Sequence, residues 1–185
     1  MTRQARIIQA GSEWFHVYNR GARHVNIFWD DNDRAWFLTI LAKNIGKYPV
    51  QLHVFALMDN HYHFLLKGDL MHVSQFMRGF MGCYVRKFNY LHDLDGPLFR
   101  SRFSSVPIKS EAQLLVVTRY IHRNVLDIFD NREGLMYLWS SYRYYMDPSS
   151  CPNFLVVDEI LKAYGEERKV AITRFSDFIG DSHQR

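Results

Sequence analysis

The sequence predicts an α+β fold: a ferredoxin-like antiparallel sheet with helices packed on one face and a small helical appendage at the C-terminus. Short aromatic and β-branched runs alternate with helical periodicity in the order β-α-β-β-α-β-α. The two central runs are separated only by Asp59-Asn60, which is typical of a hairpin turn. A central hairpin with helices between the outer strands indicates the ferredoxin-like arrangement.

Length and composition predict one domain with an appendage, which we divide at residues 1–131 and 132–185. No run approaches the roughly 18 apolar residues that span a bilayer. Met1–Ala10 lacks a signal-peptide core, and Cys83 and Cys151 have neither metal-site spacing nor the number needed for a disulfide scaffold. We therefore expect a cytoplasmic protein without a membrane partner.

The first strand and first helix are set by a change of periodicity. Trp14–Asn19 is aromatic and β-branched and precedes the turn Asn19-Arg20-Gly21. From Asp31 to Gly46 the apolar residues follow helical spacing, acidic residues occupy the first turn, and Pro49 follows shortly after the end. The apolar positions of this helix are Phe37, Ile40, Leu41 and Ile45.

Two strands and a long helix follow. Val50–Leu57 and His61–Leu66 form the predicted hairpin, and a helix begins at about Leu70. Its apolar residues recur at steps of three or four, which predicts a core-facing stripe. That stripe consists of Val73, Phe76, Met77, Phe80, Tyr84, Phe88 and Leu91.

The last strand and helix of the domain come after the turn Asp95-Gly96-Pro97. Leu98–Ile108 is predicted as a strand, which would place Arg100 and Arg102 on one face. Ser110-x-x-Gln113 resembles a capping box and opens a third helix that runs through Val125. In the appendage we predict an aromatic segment over 137–145 and helices over 154–164 and 166–179.

His61 and His63 are candidate metal ligands. Alternate residues of a strand share a face, so the two side chains lie about 7 Å apart along the strand. Neutral imidazole is a common ligand of divalent ions. Two histidines alone also fit a solvated strand face, so the prediction needs a third donor.

The third helix supplies two further candidates. Tyr120 and Asn124 are four residues apart and therefore stack on one helix face. An Asn amide oxygen suits a hard cation such as Mg2+ or Mn2+. A phenol beside such an ion is a candidate nucleophile, because the cation assists its ionisation. The alternative for Tyr120 is a half-buried helix tyrosine with no chemical role.

Basic residues are concentrated in the middle of the chain. Between Lys67 and Arg123 there are nine basic and four acidic residues, a local charge of +5 against +4 for the whole chain. Such a region suits a polyanion, although a solvated basic face is the alternative. Trp14, Tyr62 and Phe99 are candidates for stacking on unpaired bases. The candidate phosphate-binding residues are Arg20, Arg23, Arg78, Arg86, Arg100, Arg102, Arg119 and Arg123.

Five short segments together resemble a known family. His61-Tyr62-His63, after Ala56-Leu57-Met58-Asp59-Asn60, is similar to the HUH signature, and Tyr120-Ile121-His122-Arg123-Asn124 resembles the tyrosine helix of single-tyrosine HUH transposases. The resemblance is to the REP-associated tyrosine transposases. It also includes Tyr18-Asn19-Arg20-Gly21, Gly96-Pro97-Leu98-Phe99-Arg100-Ser101-Arg102-Phe103 and Trp139-Ser140-Ser141-Tyr142.

The resemblance implies a catalytic domain over residues 1–131 that cleaves and joins single-stranded or hairpin DNA through a 5′-phosphotyrosine. By motif position, His61, His63 and Asn124 would bind a divalent metal and Tyr120 would be the nucleophile. Val125 and Asp59 stand where the family usually has proline. Monomers and homodimers both occur among relatives.

Two other functions remain open at this stage. One is a DNA-binding protein of the same fold that has lost catalysis. The other is a metal hydrolase in which water attacks the substrate and Tyr120 has only a structural role.

Overall fold

The computed structural model describes residues 14–127 and 132–181. The predicted boundary at 131 and the segment Met1–Ala10 lie outside these residues. Among the helices of the described ranges, none combines the length and apolar character needed to cross a membrane.

The sheet has four antiparallel strands in the order β2-β3-β1-β4, which confirms the predicted ferredoxin-like arrangement. The elements of this domain are β1 (Trp14–Arg20), α1 (Asp31–Ile45), β2 (Gln51–Met58), β3 (His61–Lys67), α2 (Leu70–His92), β4 (Ser104–Ile108) and α3 (Glu111–Arg123). The C-terminal part contains α4 (Tyr142–Met146), α5 (Asp158–Lys162) and α6 (Arg168–Gly180). Single 3-10 turns cover Ala22–His24, Asn124–Asp127, Arg132–Met136 and Pro148–Ser150.

The crossover helices α1 and α2 pack on one face of the sheet, as predicted. Phe37 of α1 is fully buried at the centre of this layer. Its ring lies 5.4 Å from that of Tyr62 on β3, and 4.8 and 4.7 Å from those of Phe80 and Tyr84 on α2. Because Tyr62 points into this layer, the neighbouring residues His61 and His63 face the opposite side of the sheet.

Each of the three long helices of the domain begins at a side-chain cap, of which only that of Ser110 was predicted. Side chains of Asp30, Asp69 and Ser110 accept hydrogen bonds from the backbone N–H groups three residues on, which begins α1, α2 and α3. In the capping box of α3 the Gln113 side chain accepts from the backbone N–H of Lys109, one residue before Ser110.

The opposite face of the sheet carries α3 and the C-terminal segments. His122 of α3 is fully buried, and its Nε2 lies 2.9 Å from Ser141 Oγ. Its ring also contacts the rings of Tyr142, Tyr145 and Phe175. The aromatic residues predicted for the appendage therefore form a core against α3.

The outer edge of β2 is hydrogen-bonded by the C-terminal chain. The N–H of Leu57 donates to the carbonyl of Trp139, and the N–H of Ser141 donates to the carbonyl of Phe55. Further along, the N–H of Val156 donates to the carbonyl of Leu52. These bonds satisfy backbone groups that an edge strand would otherwise expose.

Two predicted elements were wrong over several residues. The last strand begins at Ser104 instead of Leu98, because the preceding segment crosses the end of β1. There the carbonyl of Leu98 accepts from Ala22, and the N–H of Arg100 donates to Arg20. Arg100 and Arg102 therefore do not share a strand face. In the appendage, the helix predicted over 154–164 is confined to α5, since residues 155–156 pair with β2.

Candidate functional site

The turn before His61 is held by the loop that follows β1. The carbonyl of Asn60 accepts from Gly21, and the carbonyl of Asp59 accepts from Ile27 and Phe28. A Cβ on Gly21 would lie 2.0 Å from the Val25 carbonyl oxygen, so only glycine fits this approach. The start of β3 is thereby fixed relative to β1.

Both histidines have an Nδ1 partner within the protein. His61 Nδ1 lies 2.7 Å from Asn60 Oδ1, and His63 Nδ1 lies 2.9 Å from Nε2 of His16 on β1. An amide oxygen only accepts, so His61 Nδ1 carries the proton and Nε2 carries the lone pair. In His63 the same tautomer results when His16 Nε2 acts as the acceptor.

Burial keeps His16 and His63 neutral. It lowers the pKa of His16 to about 4. It also lowers the pKa of His63 to about 3, with smaller contributions from His16 and His61. Neutral imidazole is the form that binds metal ions, so the electrostatic setting favours ligation.

Tyr120 comes to the site from α3, and Asn124 is the residue that directly follows this helix. The Tyr120 ring lies 5.4 Å from that of His63 and 5.7 Å from that of His16, and 51% of the residue is exposed. Asn124 Nδ2 donates to the Tyr120 carbonyl at 2.7 Å, which leaves Oδ1 as the oxygen that can ligate. Helix α3 ends at Arg123 and not at Val125 as predicted, because residues Asn124–Asp127 form a 3-10 turn.

These four side chains line one open cavity of about 700 Å3. The rest of its wall comes from β1, from the start of β4 and from the segment that crosses the end of β1. It consists of Tyr18, Asn19, Arg20, Arg100, Ser101 and Ser104. The structure thus brings together all of the predicted metal and nucleophile residues, with two of the predicted arginines beside them.

The donor set suits a divalent cation. Imidazole nitrogens and an amide oxygen are both ligands that divalent metal ions accept in proteins. Within the described residues, no group of three or more His, Cys, Asp or Glu side chains is placed to hold a metal. Asn124 Oδ1 is an amide oxygen in the lining of the same cavity as the two histidines.

The other predicted arginines occupy different surroundings. Arg78 and Arg102 line a neighbouring cavity, and Arg23 and Arg86 are exposed elsewhere. Arg119 donates to the carbonyl oxygen of Asp181 at the end of α6. Arg123 donates to the carbonyl oxygens of Ile179 and Asp181, at 2.8 and 3.0 Å. These last two guanidinium groups therefore connect α3 to α6.

Other predicted contacts are altered by packing. Tyr62 is fully buried, so the structure contradicts its prediction as a base-stacking residue. Trp14 packs its ring 4.4 Å from that of His53, whereas Phe99 remains partly exposed. Asp59, where the family usually has proline, forms an ion pair with Arg34 of α1. Its charge is therefore balanced at the turn.

Several residues beside the site were not predicted as site residues; they include His16, Tyr18, Asn19 and Ser104. Alternation in β1 places His16 and Tyr18 on one face, which was the available signal. Their distance from the motif histidines depends on the pairing of β1 with β3, in which Tyr18 lies opposite His63 and His16 lies opposite Leu65. That register is a property of the folded sheet and cannot be read from either strand alone.

Comparisons with known proteins agree with this architecture. The family model described as "Transposase IS200 like" matches residues 13–124. No curated protein matches the chain. A REP-associated tyrosine transposase bound to a REP hairpin has a similar structure, with 14% identity and a TM-score of 0.63 over 84% of this chain and 92% of that chain.

A candidate transposase from Deinococcus radiodurans aligns with 15% identity and a TM-score of 0.45, over 66% of this chain and 97% of that one. The family match extends over more than half of the chain, from the start of the sheet to Asn124. The chain belongs to the family of IS200-like transposases.

Proposed function

We propose that this chain cleaves and rejoins single-stranded DNA next to a hairpin, with Tyr120 as nucleophile and His61, His63 and Asn124 as ligands of a divalent cation. The observation that carries the proposal is the shared cavity. Residues from β3, from α3 and from the C-terminal end of α3 place a phenol, two imidazoles and an amide oxygen around one open space. The family and the hairpin bound by a protein of the same fold support DNA as the substrate.

Cleavage would convert one phosphodiester into another. Tyr120 Oη forms a bond to phosphorus, the bond from phosphorus to the 3′ oxygen breaks, and the phenol proton passes to solvent. The 3′ oxygen takes up a proton, and the 5′ side stays on Tyr120 as a phosphotyrosine. Attack by a 3′-hydroxyl reverses these steps and rejoins DNA.

The protein's own groups would position the reactants. Tyr120 is half exposed and packed edge-on against His63, so its hydroxyl reaches the cavity without repacking the core. Arg20 and Arg100, also in the lining, would neutralise phosphates on either side of the scissile bond. When bound, a magnesium or manganese ion supplies Lewis-acid polarisation of the phosphate.

The test is formation of a covalent adduct. Protein and Mn2+ are mixed with labelled hairpin DNA that carries single-stranded flanks, and the products are separated on a denaturing gel. We expect a protein–DNA band that is lost with EDTA and in Tyr120→Phe. Tyr90→Phe is the matched control, because Tyr90 is 82% exposed on α2.

Each contrary result points to another function. An adduct that persists in Tyr120→Phe excludes this nucleophile. Metal-dependent cleavage with multiple turnover and no adduct indicates attack by water. Hairpin binding without cleavage by any metal tested indicates a DNA-binding protein without strand-transfer activity.

A further inference from the structure

A second cavity, of about 450 Å3, lies between the first half of α2 and segment 99–103. Met77 and Met81 of α2 form its buried wall, and Phe99 and Phe103 face them from the segment. Its volume falls in the range of about 300–1,000 Å3 that is usual for small-ligand sites. Two aromatic rings and two thioethers make a surface suited to a planar apolar group.

The same cavity carries positive charge. Arg78 of α2 and Arg102 of the segment are exposed residues of its lining. In residues 14–127 and 132–181, neither guanidinium forms an ion pair or a hydrogen bond. Flat apolar walls beside two available guanidinium groups match the two parts of a nucleotide, an aromatic base and a phosphate.

The two cavities are adjacent. Asn19 and Ser101 line both of them. Asn19 is buried, and its Nδ2 donates to the carbonyl oxygen of Ser101 at 3.1 Å, which ties segment 99–103 to the end of β1. Because the two cavities share these two lining residues, a DNA strand with a phosphate beside Tyr120 lies next to the second cavity.

We propose that this second cavity binds one unpaired base of the strand that Tyr120 attacks. The base lies between the aromatic and thioether side chains, and its flanking phosphates contact Arg78 and Arg102. This inference rests on the proposed function and adds to it a protein pocket for one position of the substrate. The protein would then recognise the base at that position by how well it fits the pocket.

The experiment measures how removing one base from the DNA changes its affinity for the protein, first with the intact pocket and then with a changed pocket. Hairpin DNA with randomised single-stranded flanks is selected for binding to Tyr120→Phe protein, and each flank base of the selected DNA is then replaced in turn by an abasic site. Stacking on aromatic side chains contributes about 1–3 kcal/mol per base. We expect one position at which base removal weakens binding by roughly tenfold, a change of about 1.4 kcal/mol.

The same abasic substitution should have little further effect when the pocket is changed. Phe99→Ala removes an aromatic wall, and Ser74→Leu adds a larger side chain to the cavity from the α2 side. Arg102→Ala should weaken binding of intact and abasic DNA alike and reduce the salt dependence by about one counterion. Lys43→Ala, which removes an exposed cation on α1, serves as the control.

The outcomes separate the two proposals. If Phe99→Ala and Ser74→Leu leave the full abasic effect in place, the pocket assignment is overturned, whether or not Tyr120 forms an adduct. If the protein binds no DNA in the selection, both proposals are overturned. Coupling at one flank position with no adduct by the wild-type protein supports the pocket and rejects the strand-transfer chemistry.

Discussion

In the proposed metal site, the Nδ1 atoms of His61 and His63 both have partners within the protein. Asn60 fixes one ring and His16 fixes the other, at 2.7 and 2.9 Å. Such outer partners orient the ring and hold the tautomer in which Nε2 is available to a metal. At the scale of single residues, His16 is thus as much a part of the proposed site as the two motif histidines.

Replacing His16 should weaken metal binding. Loss of an outer partner typically lowers metal affinity about 10- to 100-fold. We expect a loss of that size for Mn2+ in His16→Phe, measured by calorimetry, and a smaller loss in His16→Gln, which keeps an acceptor. His24→Asn is the control, because His24 is exposed and has a positive φ that Asn tolerates. Equal affinity in wild type and His16→Phe would contradict this role.

His53 should make folding sensitive to acid. Its ring is fully buried in β2, and burial lowers its pKa to about 4, partly opposed by Glu159 with an oxygen 3.8 Å from Nε2. The unfolded chain, with a histidine pKa near 6.5, binds a proton that the folded chain excludes. The contribution is therefore present above about pH 6.5 and is lost as the pH falls toward 4.

The slope is about 1.4 kcal/mol per pH unit for one proton. Urea unfolding between pH 7 and 4.5 should show a smaller decline in the free energy of unfolding for His53→Leu than for the wild type, because one of the buried neutral histidines is removed. His72→Leu is the comparison, since His72 is only partly buried at the start of α2. An identical slope in His53→Leu and the wild type would show that His53 is protonated in the folded protein.

At the scale of elements, periodicity predicted the order of strands and helices and most of their ends. Apolar spacing and caps such as Ser110 are local signals, so α1, α2 and α3 could be predicted from the sequence. The path of residues 98–103 could not be predicted in this way, because it is set by hydrogen bonds to residues at the end of β1. The assignment of residues 154–157 failed for the same reason, since pairing with β2 overrides their helical pattern.

Helix α3 is held by contacts on more than one side. His122 contacts Ser141, whose Oγ also accepts from the N–H of Phe55 and donates to its carbonyl. Arg119 and Arg123 bind the carbonyl groups at the end of α6. The orientation of the tyrosine helix is therefore set by the C-terminal segments as well as by the sheet.

Removing the Ser141 hydroxyl should destabilise the protein. Ser141→Ala leaves the Phe55 N–H and the His122 ring without their partner in a fully buried place. Such losses cost roughly 1–3 kcal/mol of unfolding free energy, and adduct formation should fall with the mobility of α3. Thr39→Ala, at an exposed position on α1, should change stability by less than about 0.5 kcal/mol. A neutral Ser141→Ala would show that water replaces the hydroxyl.

For the molecule as a whole, the sequence predicted four residues that lie together in one cavity, but not how that cavity is enclosed. His61, His63, Tyr120 and Asn124 were visible as motifs with chemically meaningful spacing. The contributions of Asn19 and Ser101 depend on a contact across 82 positions of the chain. Such contacts have no local pattern, so they emerge only when β1 and segment 99–103 are placed side by side.

A single chain holds the complete set of proposed site residues. The ring of Tyr120 lies 5.4 Å from that of its own chain's His63, so we expect each chain to act alone. A mixture of Tyr120→Phe and His63→Ala proteins should then form no adduct with hairpin DNA and Mn2+. Each variant mixed with wild type provides the control. Recovery of adduct in the variant mixture would mean that tyrosine helices are exchanged between subunits.

The bonding of residues 139–141 and 155–156 to β2 also limits how copies of this protein can associate. A bare sheet edge pairs readily with another strand, and that route leads to fibrous aggregates. Here the chain's own tail occupies one edge. On the other edge, β4 is five residues long and contains Pro107, which has no N–H to offer an incoming strand. Both edges of the sheet are therefore poor templates for edge-to-edge pairing between copies of the protein.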